Sequence, residues 1–318
     1  MNPAKDPIVL IDVGASGGLP DPWKKISKDL FVIGFEPDER SFAELESKKN
    51  SRFKYLNTGL YKERAVLDLY LTNIKTKSSL LRPNFKFIKK FPKDKRFEIV
   101  GQSKMKVDAL DNQLTANGIK DADFMKIDIQ GAELFGLMGA QNILSGSVFG
   151  VETEVEFAEV YEGQPLFGEV DSFLRKCGFQ LFDLQPFYWK RKIGSALGGR
   201  KGQIIYANAL YFKSHEYFSK NLDQKTGEEK KSKMAHFVST ALLYGYIDYA
   251  LELCESFRDL FSAEEYKQLT DKINARAASF KKLPAFPGRG RLAKVFYKLW
   301  KSLRMENYKL KGDRLGNV

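Results

Sequence analysis

The sequence predicts an α/β protein built on an open, mostly parallel sheet, and three segments carry that expectation. Ile11-Asp12-Val13-Gly14-Ala15-Ser16-Gly17-Gly18 reads as an apolar strand that ends in an acid and breaks into a glycine loop. Gly34-Phe35-Glu36-Pro37-Asp38 reads as an apolar strand with a glutamate at its carboxyl end. Met125-Lys126-Ile127-Asp128-Ile129-Gln130-Gly131-Ala132-Glu133 reads as a strand that delivers a lysine and an aspartate to the same edge. In open α/β sheets ligands bind beyond the carboxyl ends of the strands. Three polar strand ends in chain order therefore describe one site.

From residue 8 to about residue 213 strand patterns alternate with helical ones. Residues 8–13 form the first strand, and 21–29 a short helix after the glycine loop. Residues 31–35 form the second strand, 38–49 a helix and 53–57 the third strand. The apolar period then changes to two over residues 65–72, a half-exposed strand, and again over 105–107. Between them, residues 75–104 are rich in Lys, Phe and Ser and are expected to be a mobile loop over the site. A helix at 108–117, a fourth strand at 124–129, a helix at 132–144, a fifth strand at 148–155 and a helix at 168–177 follow. Residues 179–184 and 204–212 pair as the last two strands, around a basic, glycine-rich loop at 190–201.

Beyond His215 the character changes. The expected organisation is a catalytic domain over residues 1–215, a polar linker at 216–233, a helical appendage at 234–283, and a basic amphipathic helix and tail at 284–318. Within the appendage, 234–244, 248–257 and 263–280 are helical, with Gly245 as C-cap and Asp248 as the next N-cap. Pro284, Pro287, Gly288 and Gly290 break the chain before the last helix.

At 318 residues and 43% hydrophobic, the chain can bury one large core and keep residues for an accessory part. It holds no run of 18 apolar residues, so no spanning helix is expected, and Met-Asn-Pro-Ala-Lys-Asp before the first strand leaves no expected room for a signal peptide. Cys177 and Cys254 lie in separate apolar helical contexts and read as buried thiols, which fits a reducing, cytoplasmic setting. Charge is unevenly spread. Residues 281–318 hold 11 Lys+Arg against 2 acids, whereas the other 280 residues hold 41 against 38. The basic excess belongs to the tail.

The glycine loop is neither Gly-x-Gly-x-x-Gly nor Gly-x4-Gly-Lys-Ser/Thr, so the dinucleotide and phosphate-loop fingerprints both fail. What remains, Asp12-x-Gly14-x-x-Gly17, brings backbone N–H groups and a helix start close to a ligand. A tight structural turn is the competing reading. Glu36 stands 24 residues after Asp12, about the distance at which an acid grips a ribose diol. An acid–glycine loop with a ribose acid suits S-adenosylmethionine better than a dinucleotide, and Gly14, Ala15, Ser16 and Gly17 become its cofactor loop. Lys126 and Asp128, two apart, share one face of their strand. They read as catalytic groups, with an internal salt bridge as the alternative. Glu152 and Glu154 end the fifth strand on one face and suit acceptor hydroxyls, and Glu133 joins them as an acceptor-binding candidate, with a favourable negative charge at a helix start as the alternative. The only histidines, His215 and His236, fall outside this constellation, and no metal-ligand motif occurs.

The chain resembles the FkbM-type methyltransferases. The resemblance covers roughly residues 8–215 and rests on Asp12-Val13-Gly14-Ala15, Phe35-Glu36-Pro37-Asp38, the strand end at Asn57, Ser78-Ser79-Leu80-Leu81, Val107-Asp108-Ala109-Leu110, Lys126 through Glu133, and Val151-Glu152. It implies a Rossmann-like class I methyltransferase sheet of seven strands, mostly parallel with an antiparallel last strand, followed here by the C-terminal α-helical appendage. It also implies S-adenosylmethionine as cofactor, with Pro37 and Asn57 joining Asp12, Glu36 and Asp128 at its site. The implied reaction is methylation of an oxygen, often on sugars of glycans or natural products. One departure is Gln130, where the family usually carries Glu; a base role is lost there, but an amide can still bond a sugar hydroxyl. Tyr161-Glu162-Gly163-Gln164-Pro165-Leu166-Phe167 is similar to sugar-modifying relatives. A small natural product or lipid as acceptor, and a scaffold that retains only the cleft, are the rival readings.

Within residues 291–304, Leu292, Val295, Phe296, Leu299, Trp300 and Leu303 recur at helical spacing, with Lys294, Lys298 and Lys301 opposite. Such a helix suits an anionic membrane surface, a partner, or packing against residues 234–280. Placement at the inner face of a membrane is the corresponding expectation. Nucleic acid is not expected as a partner, because no Asn-Pro-Pro-Tyr follows the fourth strand and no RNA-binding motif occurs.

Overall fold

The computed structural model describes residues 6–194, 202–223, 225–280, 286–303, 309–311 and 315. Its strands in chain order are β1 (Ile8–Val13), β2 (Leu30–Phe35), β3 (Phe53–Leu56), β4 (Gly59–Leu60), β5 (Ala65–Thr72), β6 (Ile99–Asp108), β7 (Phe124–Ile127), β8 (Gly150–Glu156), β9 (Phe179–Trp189), β10 (Gln203–Lys213) and β11 (Lys309–Lys311). The large sheet runs β11-β9-β10-β8-β7-β1-β2-β3. Strands β3, β2, β1, β7 and β8 are mutually parallel, and β10 runs antiparallel to both neighbours. This is the expected seven-stranded, mostly parallel sheet with an antiparallel last strand, extended by the edge strand β11. Strands β1 and β7 are buried on both faces, hence their near-continuous apolar runs. The chain leaves β1 toward β2 on one side and returns through β7 on the other. The gap beyond β1 and β7 is thus the switch point where a ligand cleft opens.

Two apolar cores lie on opposite faces of the sheet. One is closed by the helices Phe167–Lys176 and Glu133–Met138 over Ile11, Ile33, Met125 and Val151. The other is closed by the helices Gly227–Leu243, Ile247–Ser256 and Ala263–Phe280, which cover Ile8, Leu10, Phe124 and Phe212 with Phe237, Tyr244 and Leu253. Rings dominate this second core: Phe149 stacks on Phe237 at 4.5 Å and Phe124 on Tyr244 at 5.6 Å between centroids. The segment is a layer of the fold rather than an outlying appendage.

Several expected elements differ. Residues 216–233, expected as a linker, are mostly helical: His215–Leu222 is one helix, and Thr226 caps the next with its reciprocal Glu229. The charged run there is not wholly solvated, since buried Lys233 is held by Asp123 at 2.6 Å, and His236 meets the same carboxylate at 3.1 Å. Residues 75–104 form a packed insert containing the helix Phe85–Ile88, with Ile88, Phe91 and Phe97 buried against Tyr161, Trp189 and Ile205. The helix expected over 132–144 divides into Glu133–Met138 and Gln141–Ser145. Residues 21–29 wind as a 3-10 helix over Trp23–Asp29. Asp248 lies in a helix's first turn, and Tyr246 occupies the N-cap. Most of the expected basic loop, residues 195–201, falls outside the described residues, as does Arg304.

In the last helix, Arg289–Leu303, the side chains described, residues 289–300, are all exposed rather than packed on residues 234–280. No helix among the described residues is long and apolar enough to cross a membrane.

Candidate active site

The glycine loop follows β1 directly. Gly14 adopts φ +77° and donates to the Phe35 carbonyl at 3.0 Å, turning the chain across the end of β2. A Cβ on Gly14 would collide with the Asp128 carbonyl oxygen, so only glycine lets the loop lie against the end of β7. Gly17 (φ +96°) and Gly18 (φ +76°) face open space instead. A ligand can approach that backbone, and the residues present fit S-adenosylmethionine there.

Asp12 is buried below the loop. Lys126 lies 3.4 Å from its carboxylate and 3.4 Å from the Gly14 carbonyl. Burial pushes the Asp12 carboxyl up against the pull of Lys126. Burial would lower Lys126, yet the charges of Asp12, Asp128 and Glu152 hold it above its ordinary range. The ion pair of Lys126 is therefore with Asp12, not with Asp128 as the strand spacing suggests, and Lys126 supports the loop from beneath. Glu36 ends β2, with one carboxylate oxygen held by the Asp38 N–H at 2.9 Å. Burial raises it despite that bond. Pro37 passes the chain to Asp38, whose carboxylate caps the helix Glu39–Lys48. Asn57 donates to the Glu36 and Pro37 carbonyls at 3.0 and 3.3 Å, so its amide clamps the strand end that carries the glutamate. Ala15 is buried, and Ser16 is exposed at the mouth.

On the other side of β1, Asp128 stands at the end of β7 and accepts from the Gln130 amide at 2.7 Å. Gln130 has φ +56°, a left-handed conformation that costs a non-glycine residue on the order of 1 kcal/mol or more. Its fixers are visible. Lys77 Nζ donates to its side-chain oxygen at 2.7 Å, Ser79 Oγ to its backbone carbonyl at 2.6 Å, and Tyr161 OH reaches the same side-chain oxygen at 3.4 Å. Gln130, expected among the acceptor-binding residues, sets its amide N–H on Asp128 and its amide oxygen on Lys77. Glu133, expected in the same group, is buried, and its two oxygens accept from the N–H groups of Ile129 and Gly131 at 2.8 and 2.9 Å. Burial, then the charges of Glu154 and Asp128, push Glu133 up to about 8.

Strand β8 places Glu152, Glu154 and Glu156 on one face by its period of two. Glu152 accepts from Tyr244 OH at 2.7 Å, and Tyr244 accepts in turn from Trp23 Nε1–H at 3.1 Å. Tyr244 is aimed by the end of its helix. The N–H groups of Gly245 and Tyr246 bond the carbonyls of Leu242 and Ala241 at 3.0 and 2.9 Å, a Schellman closure that the left-handed Gly245 permits. Glu156 is buried and raised well above its usual range, by burial and then by Glu133 and Glu154. The alternation that flags Glu152 and Glu154 continues to it, so its signal is in the sequence. Tyr161 and Lys77 carry no local signal, and Tyr244 is 92 residues from its partner.

Ser16, Lys126, Asp128, Glu152, Glu154, Gln185, Asn208 and Tyr244 line one cavity of about 390 Å³ beyond the strand ends. Asp128, Glu133 and Glu154 each bring a carboxylate oxygen within 4.8 Å of the others. Such spacing would suit a hard cation, but both Glu133 oxygens already accept backbone N–H bonds. His215 pairs with Glu252 at 3.1 Å, and His236 with Asp123, both away from the cavity, while Cys177 and Cys254 are free and buried.

Residues 12–181 match the model of the methyltransferase FkbM domain. Among solved structures, the methyltransferase FkbM from Methylobacillus flagellatus KT is similar at 16% identity and a TM-score of 0.35, over 65% of this chain and 44% of that one. The chain thus spans less than half the length of that relative. The magnesium protoporphyrin IX methyltransferase of Synechocystis PCC 6803, crystallised with its bound cofactor, is similar at 10% identity and a TM-score of 0.34, over 66% of this chain and 71% of that one. The 1,6-didemethyltoxoflavin-N1-methyltransferase of Burkholderia thailandensis is similar at 13% identity and a TM-score of 0.30, over 66% and 73%. No curated protein matches the chain. With more than half of its length matched by one family model and the glycine loop, Glu36 and Asp128 at three adjacent strand ends, the chain belongs to the FkbM methyltransferase family and takes S-adenosylmethionine as its cofactor.

Proposed function

We propose that the protein is an O-methyltransferase whose acceptor is a sugar hydroxyl of a glycan or glycolipid precursor. The observation that carries this reading is the polar wall of the cavity, where Asp128, Glu152 and Glu154 stand with the amides of Gln185 and Asn208. Carboxylates and amides grip adjacent hydroxyls, and such a wall does not favour a flat apolar acceptor.

S-adenosylmethionine supplies an already activated methyl group. What the chain must add is in-line placement of the acceptor oxygen and removal of one proton. Asp128 is the base in this reading. Gln130 fixes one of its oxygens, which leaves the other to take the proton of the acceptor hydroxyl as that oxygen displaces the neutral thioether, C–O forming while methyl–sulfur breaks. Glu152 and Glu154 hold neighbouring hydroxyls, and Lys126 offsets part of the negative charge gathered at the strand ends.

Mass spectrometry of cell-surface glycans, with and without the protein, tests the acceptor. One methyl group should disappear from one sugar position when the protein is absent. Unchanged glycans, with methylation lost from a small metabolite or lipid instead, would move the activity to that acceptor.

A further inference from the structure

The helix Arg289–Leu303 presents Leu292, Val295, Phe296, Leu299 and Trp300 to solvent, each between 48% and 61% exposed. Arg291, Lys294 and Lys298 fall on the opposite side, and the helix contains no acid. Tyr297 and Trp300 stack at 5.9 Å between ring centroids. An apolar face of this size in water is costly unless something covers it. We propose that this helix lies in the headgroup layer of an anionic bilayer and holds the cleft against a membrane-borne acceptor; the second half of the proposal rests on the function proposed above.

Three observations favour that occupant over others. A second copy of the helix would add further cations and no acid to answer them. Ring-bearing side chains beside Lys and Arg on an amphipathic helix are the composition of interfacial segments. With only 15 residues and several cations, the helix suits the interfacial plane rather than a span. Its position also matters. The chain after it forms β11, which pairs with Phe187, Tyr188 and Trp189 of β9, past the carboxyl end of β8. Leu315 then lines the cavity beside Asp128 and Glu152. A surface gripped by this helix is therefore tethered to the edge on which the cleft opens.

The test uses the full chain with vesicles of phosphatidylcholine alone or mixed with phosphatidylglycerol. Sedimentation should be at least about tenfold stronger with the anionic vesicles at low salt and should fade as salt rises. K294E/K298E should lose about tenfold or more, and Phe296→Ser should weaken binding in the same direction. Of the three tryptophans, Trp23 and Trp189 are buried. A blue shift of emission on vesicles should therefore vanish in Trp300→Phe. Equal sedimentation with neutral and anionic vesicles, or wild-type binding by K294E/K298E, overturns the proposal. A dimer in light scattering that the same substitutions dissociate, without vesicle binding, assigns the face to a second copy instead. Calorimetry with S-adenosylhomocysteine on the same samples keeps the two readings apart. Intact cofactor binding with no vesicle binding removes the membrane contact alone, whereas vesicle binding by a protein that takes no cofactor removes the methyl-transfer reading.

Discussion

The two sides of the cleft are built differently. On the cofactor side each charge has a near partner, Asp12 with Lys126 at 3.4 Å and Glu36 with the Asp38 amide at 2.9 Å. Much of the rest is backbone, shaped by the left-handed turns at Gly14, Gly17 and Gly18. On the acceptor side Asp128, Glu133 and Glu154 crowd within 4.8 Å, with Glu156 behind them, and Lys77 reaches only the Gln130 amide oxygen. One side is a preset mould for one ligand. The other gathers carboxyl groups that burial and mutual repulsion push towards their protonated forms, which suits the hydroxyl-rich acceptor proposed above.

Four substitutions probe that contrast, beginning with the largest expected effect. Asp128→Asn keeps the shape but removes the proposed base, so turnover should fall by about 10²-fold or more while cofactor affinity changes little in calorimetry. Activity that survives with only a lower melting temperature would make Asp128 a structural group. Glu36→Ala should act on the opposite side. It removes charge-assisted hydrogen bonds worth about 1.5–3 kcal/mol each and should weaken cofactor binding at least about tenfold. An unchanged dissociation constant would take Glu36 out of the site.

Tyr244→Phe removes the bond to Glu152 and leaves the Trp23 N–H without its acceptor. Stability should fall by about 1–3 kcal/mol in chemical denaturation, and the KM for the acceptor should shift more than the cofactor affinity. If both ligands are affected equally, the phenol shapes the whole cleft instead of one side. The smallest effect is a slope. A glutamate whose pKa is raised on folding binds more protons in the native state than in the unfolded chain, so its contribution is fully present below the ordinary glutamate range. It is lost as pH rises through the folded value, which for Glu133 is about 8. Melting temperature should therefore decline from about pH 5 to 8, and Glu133→Gln should flatten the decline even though it melts lower throughout. A parallel profile would place the excess protons elsewhere in the cluster.

The cofactor side was legible because it is local. A strand end, a glycine and an acid within a few residues determine where the ligand lies, and β1, β2 and β7 show their burial in apolar runs. The acceptor side draws on residues 77–79, 128–133, 152–156 and 161–164, which only tertiary packing brings together. Side-chain roles were the weakest part of the reading, because spacing along a strand gives the face and not the partner. Lys126 faces the same way as Asp128 yet pairs with Asp12 on the neighbouring strand β1. The charged stretch before Met234 looked like a linker for a related reason, since the sequence cannot show that Asp123 waits beneath Lys233. The rings of residues 234–257 were helical in pattern, but nothing local says that they close a face of the sheet.

The closure at Gly245 sets the direction of Tyr244, and Tyr244 ends on a glutamate of the cleft. The helical layer is therefore not an interchangeable part. A chimera that replaced residues 227–280 with the corresponding layer of another methyltransferase would remove the hydroxyl that Glu152 accepts from unless the donor carried a phenol at the same helix end. Divergence in this layer is constrained by the chemistry of the cleft, and a change of acceptor can begin at a helix end rather than on a strand of the sheet.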